Sequence, residues 1–136
     1  MQLYPNLTFD GQCEAAFQFY EQCFHGRTVF SMTYAESPQG PPVPPDWGSK
    51  ITHATFAHPD FTLHGADVPP DRYQKPQGFS LQLNLSDPTE AERIFNTLAE
   101  AGTVQMPVQE TFWALRFGVL VDRFGIPWLV NCEQTR

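Results

Sequence analysis

The chain has 136 residues, of which 41% are hydrophobic and 14% aromatic, enough for a buried core and too apolar for a disordered segment. Eight basic against fifteen acidic residues leave a formal charge of -7 with no cluster of Lys or Arg, which argues against nucleic acid or an anionic membrane as partner. Three cysteines fit no CxxC spacing, and there is neither a charged-then-apolar leader nor an apolar run near the roughly 20 residues of a bilayer span, so free thiols and a cytoplasmic location are expected.

Leu3, Pro5, Leu7 and Phe9 alternate with Tyr4, Asn6 and Thr8, the period of a strand with two unlike faces. From Gln12 to Phe24 the apolar residues fall at helical spacing, and Gly26 is the expected stop. Val29 to Tyr34 reads as a strand. Ser37 to Asp46 holds five of the thirteen prolines and predicts a mobile loop that could serve as a lid. Thr52 to Ala57 and Phe61 to Ala66 form a hairpin about His58-Pro59-Asp60, and Val68 to Gln77 is an extended crossover.

Past the crossover, Leu81, Leu83 and Leu85 alternate with Ser80, Gln82 and Asn84, giving a strand with leucines on one side and polar neutral groups on the other. Asp87-Pro88-Thr89-Glu90 combines a capping carboxylate, a first-turn proline and a glutamate that could complete a capping box, so it opens a helix that Gly102 ends. Thr103 to Met106 is a strand, and Trp113 to Val121 pairs with Ile126 to Asn131 over Asp122-Arg123-Phe124-Gly125.

The two halves repeat. Leu7, Glu14, Ala15, Phe19 and Gly26 recur as Leu83, Glu90, Ala91, Phe95 and Gly102, and both stretches read βαβββ. The expected fold is a single α+β domain of two pseudo-symmetric modules, residues 1–67 and 78–136, with 68–77 as linker. A module of this size cannot bury its own apolar face, so the modules pack on each other or on a second chain. Exposed sheet edges and aromatic hairpins favour a homodimer.

Phe9-Asp10-Gly11, Phe19-Tyr20, His53-Ala54, Leu63-His64-Gly65-Ala66-Asp67, Gln109-Glu110-Thr111-Phe112-Trp113, Arg116-Phe117-Gly118 and Asp122-Arg123-Phe124-Gly125-Ile126-Pro127-Trp128 stand along this order of elements. In these residues the chain resembles the PhnB-like family of the vicinal-oxygen-chelate superfamily, the glyoxalase and bleomycin-resistance fold. The resemblance implies two four-stranded sheets curled around a cavity, commonly in a homodimer. Such proteins are often labelled 3-demethylubiquinone-9 3-methyltransferase. The chain has no GxGxxG between a strand and a helix, so no nucleotide cofactor is expected and methyl transfer is disfavoured.

In metal-dependent relatives one ligand comes from the first and one from the last strand of each module, positions that the resemblance places at Tyr4, His64, Ser80 and Leu129. Of these only His64 is a usual transition-metal ligand, so a divalent metal is carried as a candidate cofactor with His64 leading and Asn131, Glu110 or Asp67 as oxygen donors. By strand parity Tyr4, Asn6, Thr8, Ser80, Gln82 and Asn84 line a polar wall suited to orienting a small molecule. Trp113 and Arg116 could add an aromatic plane and a planar cation for an oxyanion. His53 is a candidate acid or base if a carboxylate such as Glu110 is in reach. Cys13, in the first turn of a helix, is a candidate thiolate. The expected function is binding of a small molecule of unknown identity; the alternative is a lyase, isomerase or dioxygenase in which a metal or Arg116 stabilises an oxyanion while His53 or Glu110 moves a proton.

Overall fold

Leu7 and Phe9 are buried while Asn6 between the turns of the same pleat is exposed, so the alternation at the start of the chain becomes strand β1 (Asn6–Phe9). In the computed structural model, which describes residues 1–37 and 42–133, β1 is followed by α1 (Cys13–Phe24), β2 (Arg27–Thr33), a short 3-10 turn at Pro45–Trp47, β3 (Ile51–His58) and β4 (Phe61–Asp67). The second half runs β5 (Leu81–Leu85), α2 (Pro88–Ala99), β6 (Thr103–Gln109), β7 (Ala114–Val121) and β8 (Pro127–Glu133). The expected βαβββ order holds in both. Each half forms an open four-stranded mixed sheet with the same internal order, β1-β4-β3-β2 and β5-β8-β7-β6, in which the first and last strands pair parallel and the rest antiparallel.

Two compact units result, Met1–Gln74 and Lys75 onward. The start of the crossover is tied to the first unit, since the Val68 N–H donates to the Phe9 carbonyl at 2.8 Å. In the first, α1 lays Ala16, Phe17, Tyr20 and Phe24 on the sheet, where Phe17 meets Phe9 and Phe56 edge-on at ring centroids of 6.3 and 5.9 Å. In the second, α2 buries Ala91, Ile94, Phe95 and Leu98. Among the described residues no helix is long and apolar enough to cross a membrane.

Several local expectations are corrected. The glycines Gly26 and Gly102 do not supply the left-handed helix stops. His25 (φ 61) and Ala101 (φ 59) do, and the His25 N–H closes α1 on the Glu21 carbonyl at 2.9 Å. The glycines are required for close approach instead. A Cβ on Gly26 would lie 2.7 Å from the Ala57 carbonyl oxygen, and one on Gly102 would lie 2.5 Å from that of Val121. At α2 the Asp87 side chain accepts from the Thr89 N–H at 3.0 Å as expected, but the Glu90 carboxylate pairs with Arg93. Strand β6 continues to Gln109, past the expected end at Met106. Of the lid expected over Ser37 to Asp46, residues 38–41 lie outside the described residues, and its end enters the 3-10 turn at Pro45–Trp47.

Candidate functional site

In the first unit, strand parity divides the sheet. Leu7, Phe9, Ala54, Phe56, Leu63 and Gly65 lie beneath α1, and the opposite side carries the residues paired between them. Register brings Asn6 beside His64, His64 beside Thr55, Thr55 beside Phe30, and His53 beside Met32. These are one face of the sheet, because residues directly opposite across a ladder point the same way.

Four rings form a row across that face. Tyr4, just before β1, has its ring centroid 5.1 Å from that of His64; His64 stacks on His53 at 5.2 Å and 25°; and Phe30 lies 5.8 Å from His53. The row is open to solvent at its ends, where Tyr4 is 43% and Phe30 45% exposed. Thr55 Oγ1 and His64 Nδ1 are 3.3 Å apart, which fixes the imidazole from below. Phe30 was not singled out from the sequence. A bulge between Thr28 and Phe30 breaks the alternation of β2, so parity counted along the chain misplaces its side chains.

The corresponding face of the second unit is built from amides. Asn84 lies opposite Asn131, which lies opposite Phe117; the Asn131 side chain donates to Asn84 Oδ1 at 3.2 Å and Gln82 donates to the same oxygen at 2.9 Å. Trp113 packs against Phe117 with centroids 5.4 Å apart and against the nearly fully exposed Phe112 at 4.7 Å. Ser80 is exposed ahead of β5 and borders an open cleft of about 610 Å³ with Phe79, Gln105 and Pro127. Thus Tyr4, Asn6, Thr8, His53 and His64 are brought together in the first unit, and Gln82, Asn84 and Trp113 share a face in the second.

Arg116 lies apart from the second group. It pairs across the ladder with Cys132 on the helix side, where its Nε donates to Glu92 of α2 and its guanidinium also meets the Leu115 carbonyl. Glu110 is exposed between β6 and β7. The ring neighbours of His53 are His64 and Phe30, and among the described residues it forms no ion pair with a carboxylate.

Asp67 and Cys13 are both corrected. Asp67 is 1% exposed, and its two oxygens accept from the backbone N–H groups of Gly11 at 3.1 Å, Cys13 at 2.8 Å and Ile51 at 2.9 Å. It is the cap that α1 lacks locally, since Gln12 makes no side-chain cap bond. Buried and accepting from three backbone donors, it is committed to the fold. Burial raises its carboxyl above the ordinary value of 3.8, opposed by those three N–H donors. The Cys13 thiol is pushed up, not down: burial is the main cause and the nearby Asp67 carboxylate adds to it. A cleft of about 260 Å³ beside it, on the helix side, is lined by Glu14, Phe17, Glu21, Thr28 and Ser31. Labelling of native protein by a thiol reagent is therefore expected to proceed only as fast as the structure opens; immediate reaction of one thiol per chain would contradict the buried placement.

The residues present do not fit the four-position metal site. Leu129 stands where the last ligand would be, its neighbours Trp128 and Val130 are apolar as well, and among the described residues no group of three His, Cys, Asp or Glu could hold an ion. Divalent zinc, nickel or manganese added to chelator-stripped protein is expected to leave the melting temperature unchanged. A rise abolished by His64→Ala would contradict this.

The model of a family described as 3-demethylubiquinone-9 3-methyltransferase matches residues 1–131. Protein YjdN of Escherichia coli K12 is 30% identical over 139 residues, covering 96% of this chain and 95% of the relative. The crystal structure of protein PA1353 from Pseudomonas aeruginosa superposes with a TM-score of 0.89 at 43% identity, covering 99% of both chains. A glyoxylase/bleomycin resistance protein/dioxygenase domain from Frankia sp. EAN1pec shares the fold with a TM-score of 0.68 at 13% identity, covering 98% of each.

Proposed function

Because the chain belongs to the 3-demethylubiquinone-9 3-methyltransferase family, PhnB-like proteins with the glyoxalase and bleomycin-resistance fold, we propose that it binds a small molecule and that the ligand lies against the open face of the first sheet. The observation that carries this reading is the row of four rings, Tyr4, His64, His53 and Phe30. Such a row puts imidazole edges and the half-exposed rings of Tyr4 and Phe30 on the side of the sheet that does not pack α1, the mixture of apolar walls and few polar groups from which ligand sites are made. Asn6, Thr8 and Thr55 supply hydrogen-bonding groups on the same face. Methyl transfer is not proposed, since no glycine-rich turn joins a strand to a helix where an adenosyl group would sit.

The reading includes a homodimer. The outer strands β2 and β6 leave unpaired edges along which Val29, Val104 and Met106 are exposed, a strip that a second copy would cover. Sedimentation equilibrium giving the mass of one chain would remove this part of the proposal and leave the binding surface standing.

The experiment is a thermal-shift screen of a metabolite library against the wild-type protein and His64→Ala. A ligand that binds only the native state stabilises it by RT ln(1 + [L]/Kd), so the melting temperature climbs with ligand concentration. A hit that loses its shift in His64→Ala supports the reading, whereas hits indifferent to His64, His53 and Tyr4 replacements would place the ligand elsewhere. The stacked imidazole pair also favours a second reading, in which His53 moves a proton on the bound molecule. It predicts turnover of a library hit by wild type, lost in His53→Gln with binding retained.

A further inference from the structure

The polar content of the first sheet's open face differs in sign from the rest of the chain. Reading the register across it, the strands place Asn6 and Thr8, Thr62, His64 and Ala66, His53, Thr55 and Ala57, and Arg27, Phe30 and Met32 on that side. None of these is a carboxylate, although the chain has fifteen acidic residues against eight basic. The acids of this unit that the sheet does position, Asp67 and the Glu14 and Glu21 of the α1 cleft, are on the helix side. Arg27 sits opposite Ala57, two residues along β3 from Thr55, the partner of Phe30, so strand spacing puts its backbone about 7 Å from the Phe30 end of the row. It has no ion-pair partner among the described residues. In the tautomer in which the Thr55 hydroxyl donates to His64 Nδ1, the other ring nitrogen of His64 is left as a donor.

From this juxtaposition of a row of rings, a donor imidazole and a guanidinium without an ion pair, on a face whose described strand residues include no carboxylate, we propose that the ligand class is a planar aromatic carboxylate, its ring against the row Tyr4–His64–His53–Phe30 and its anionic group turned toward Arg27. This rests on the binding reading above and narrows it. An aliphatic anion would forgo the stacking, a neutral arene would leave Arg27 unanswered, and an aromatic cation would meet Arg27 with no carboxylate to offset it.

The test is isothermal titration of the full chain with four probes: 2-naphthoate, 2-naphthamide, cyclohexanecarboxylate and 2-naphthylmethylammonium. Naphthoate is expected to bind about tenfold tighter than the amide or the aliphatic acid, with the ammonium weakest. Arg27→Gln, at an exposed edge position where folding can be confirmed by circular dichroism, is expected to weaken naphthoate about tenfold and leave the amide unchanged. Amide or ammonium binding as well as naphthoate, or indifference of naphthoate to Arg27→Gln, overturns the inference while the binding reading stands. If none of the four binds, the inference also fails, and the library screen with His64→Ala decides the binding reading separately.

Discussion

Asp67→Ala is expected to destabilise the protein by about 3 kcal/mol, measured from urea unfolding, which is a large share of the roughly 5–15 kcal/mol that holds a domain of this kind. One side chain at the end of β4 accepts from the first N–H of α1, from the Gly11 N–H ahead of it and from Ile51 at the start of β3. Alanine leaves those donors without a partner in a region where Cys13 and Ile51 are buried, and it frees the turn between β1 and α1 from the sheet. Asp67→Asn is a sharper probe. Its carbonyl can still serve Gly11 and Cys13, but its amino group then faces the Ile51 N–H, donor against donor.

The pH dependence separates charge from geometry. Burial raises the Asp67 carboxyl above 3.8, so the folded state holds the proton more tightly than the unfolded chain. The stability owed to this group is therefore greatest below 3.8 and declines as the pH climbs through the raised native value. The difference between wild type and Asp67→Asn is expected to narrow across that window as the pH rises. A difference that widens would mean the carboxylate is favoured by the fold and its proton is not.

Phe95→Ala carries the second large effect, about 4 kcal/mol, because this ring is 2% exposed and fills the space under β7. Its place depends on Gly118, where a Cβ would stand 2.5 Å from Phe95 Cε2. Gly118→Ala alone is expected to cost about 2 kcal/mol by overpacking, and less in a Phe95→Leu background, whose side chain does not reach as far. Additive costs in that cycle would mean that the crowding comes from the Val108 backbone, 3.0 Å from the same point.

Architecture was legible because it is written in period and repetition. Alternation in Leu81 to Leu85, the cap at Asp87 and the recurrence of Leu7 and Phe19 as Leu83 and Phe95 each depend on neighbours in sequence, and the two sheets follow them. Where contacts reach across the chain the reading failed. Asp67 is 54 residues from the helix start it caps, and Gly26 and Gly102 serve strands far from them in sequence, so neither role has a local signature. The Asp122 turn lies between these cases: its hairpin was evident, whereas its carboxylate also accepts from Phe124, Ile126 and the Trp128 indole, a buried tie that composition does not announce.

The candidate site was half legible for the same reason. Parity along β1 and β5 placed Tyr4, Asn6, Thr8, Gln82 and Asn84 without knowledge of the partners, but the stacking of His53 on His64 needs the diagonal between β3 and β4. Arg116 illustrates the risk of reading a residue by type. One step along β7 separates it from Phe117, and that step turns it from the amide face to Glu92 on α2.

The central claim is that the open face of the first sheet holds the ligand. It is tested most directly by amide-resolved NMR of the full chain titrated with the best library hit. Shifts concentrated at Asn6, Phe30, His53, Thr55 and His64, and lost in His53→Gln/His64→Gln protein of unchanged fold, are the predicted result. Shifts confined to the α1 cleft about Glu14 and Glu21, or to the second unit about Asn84 and Trp113, would contradict it.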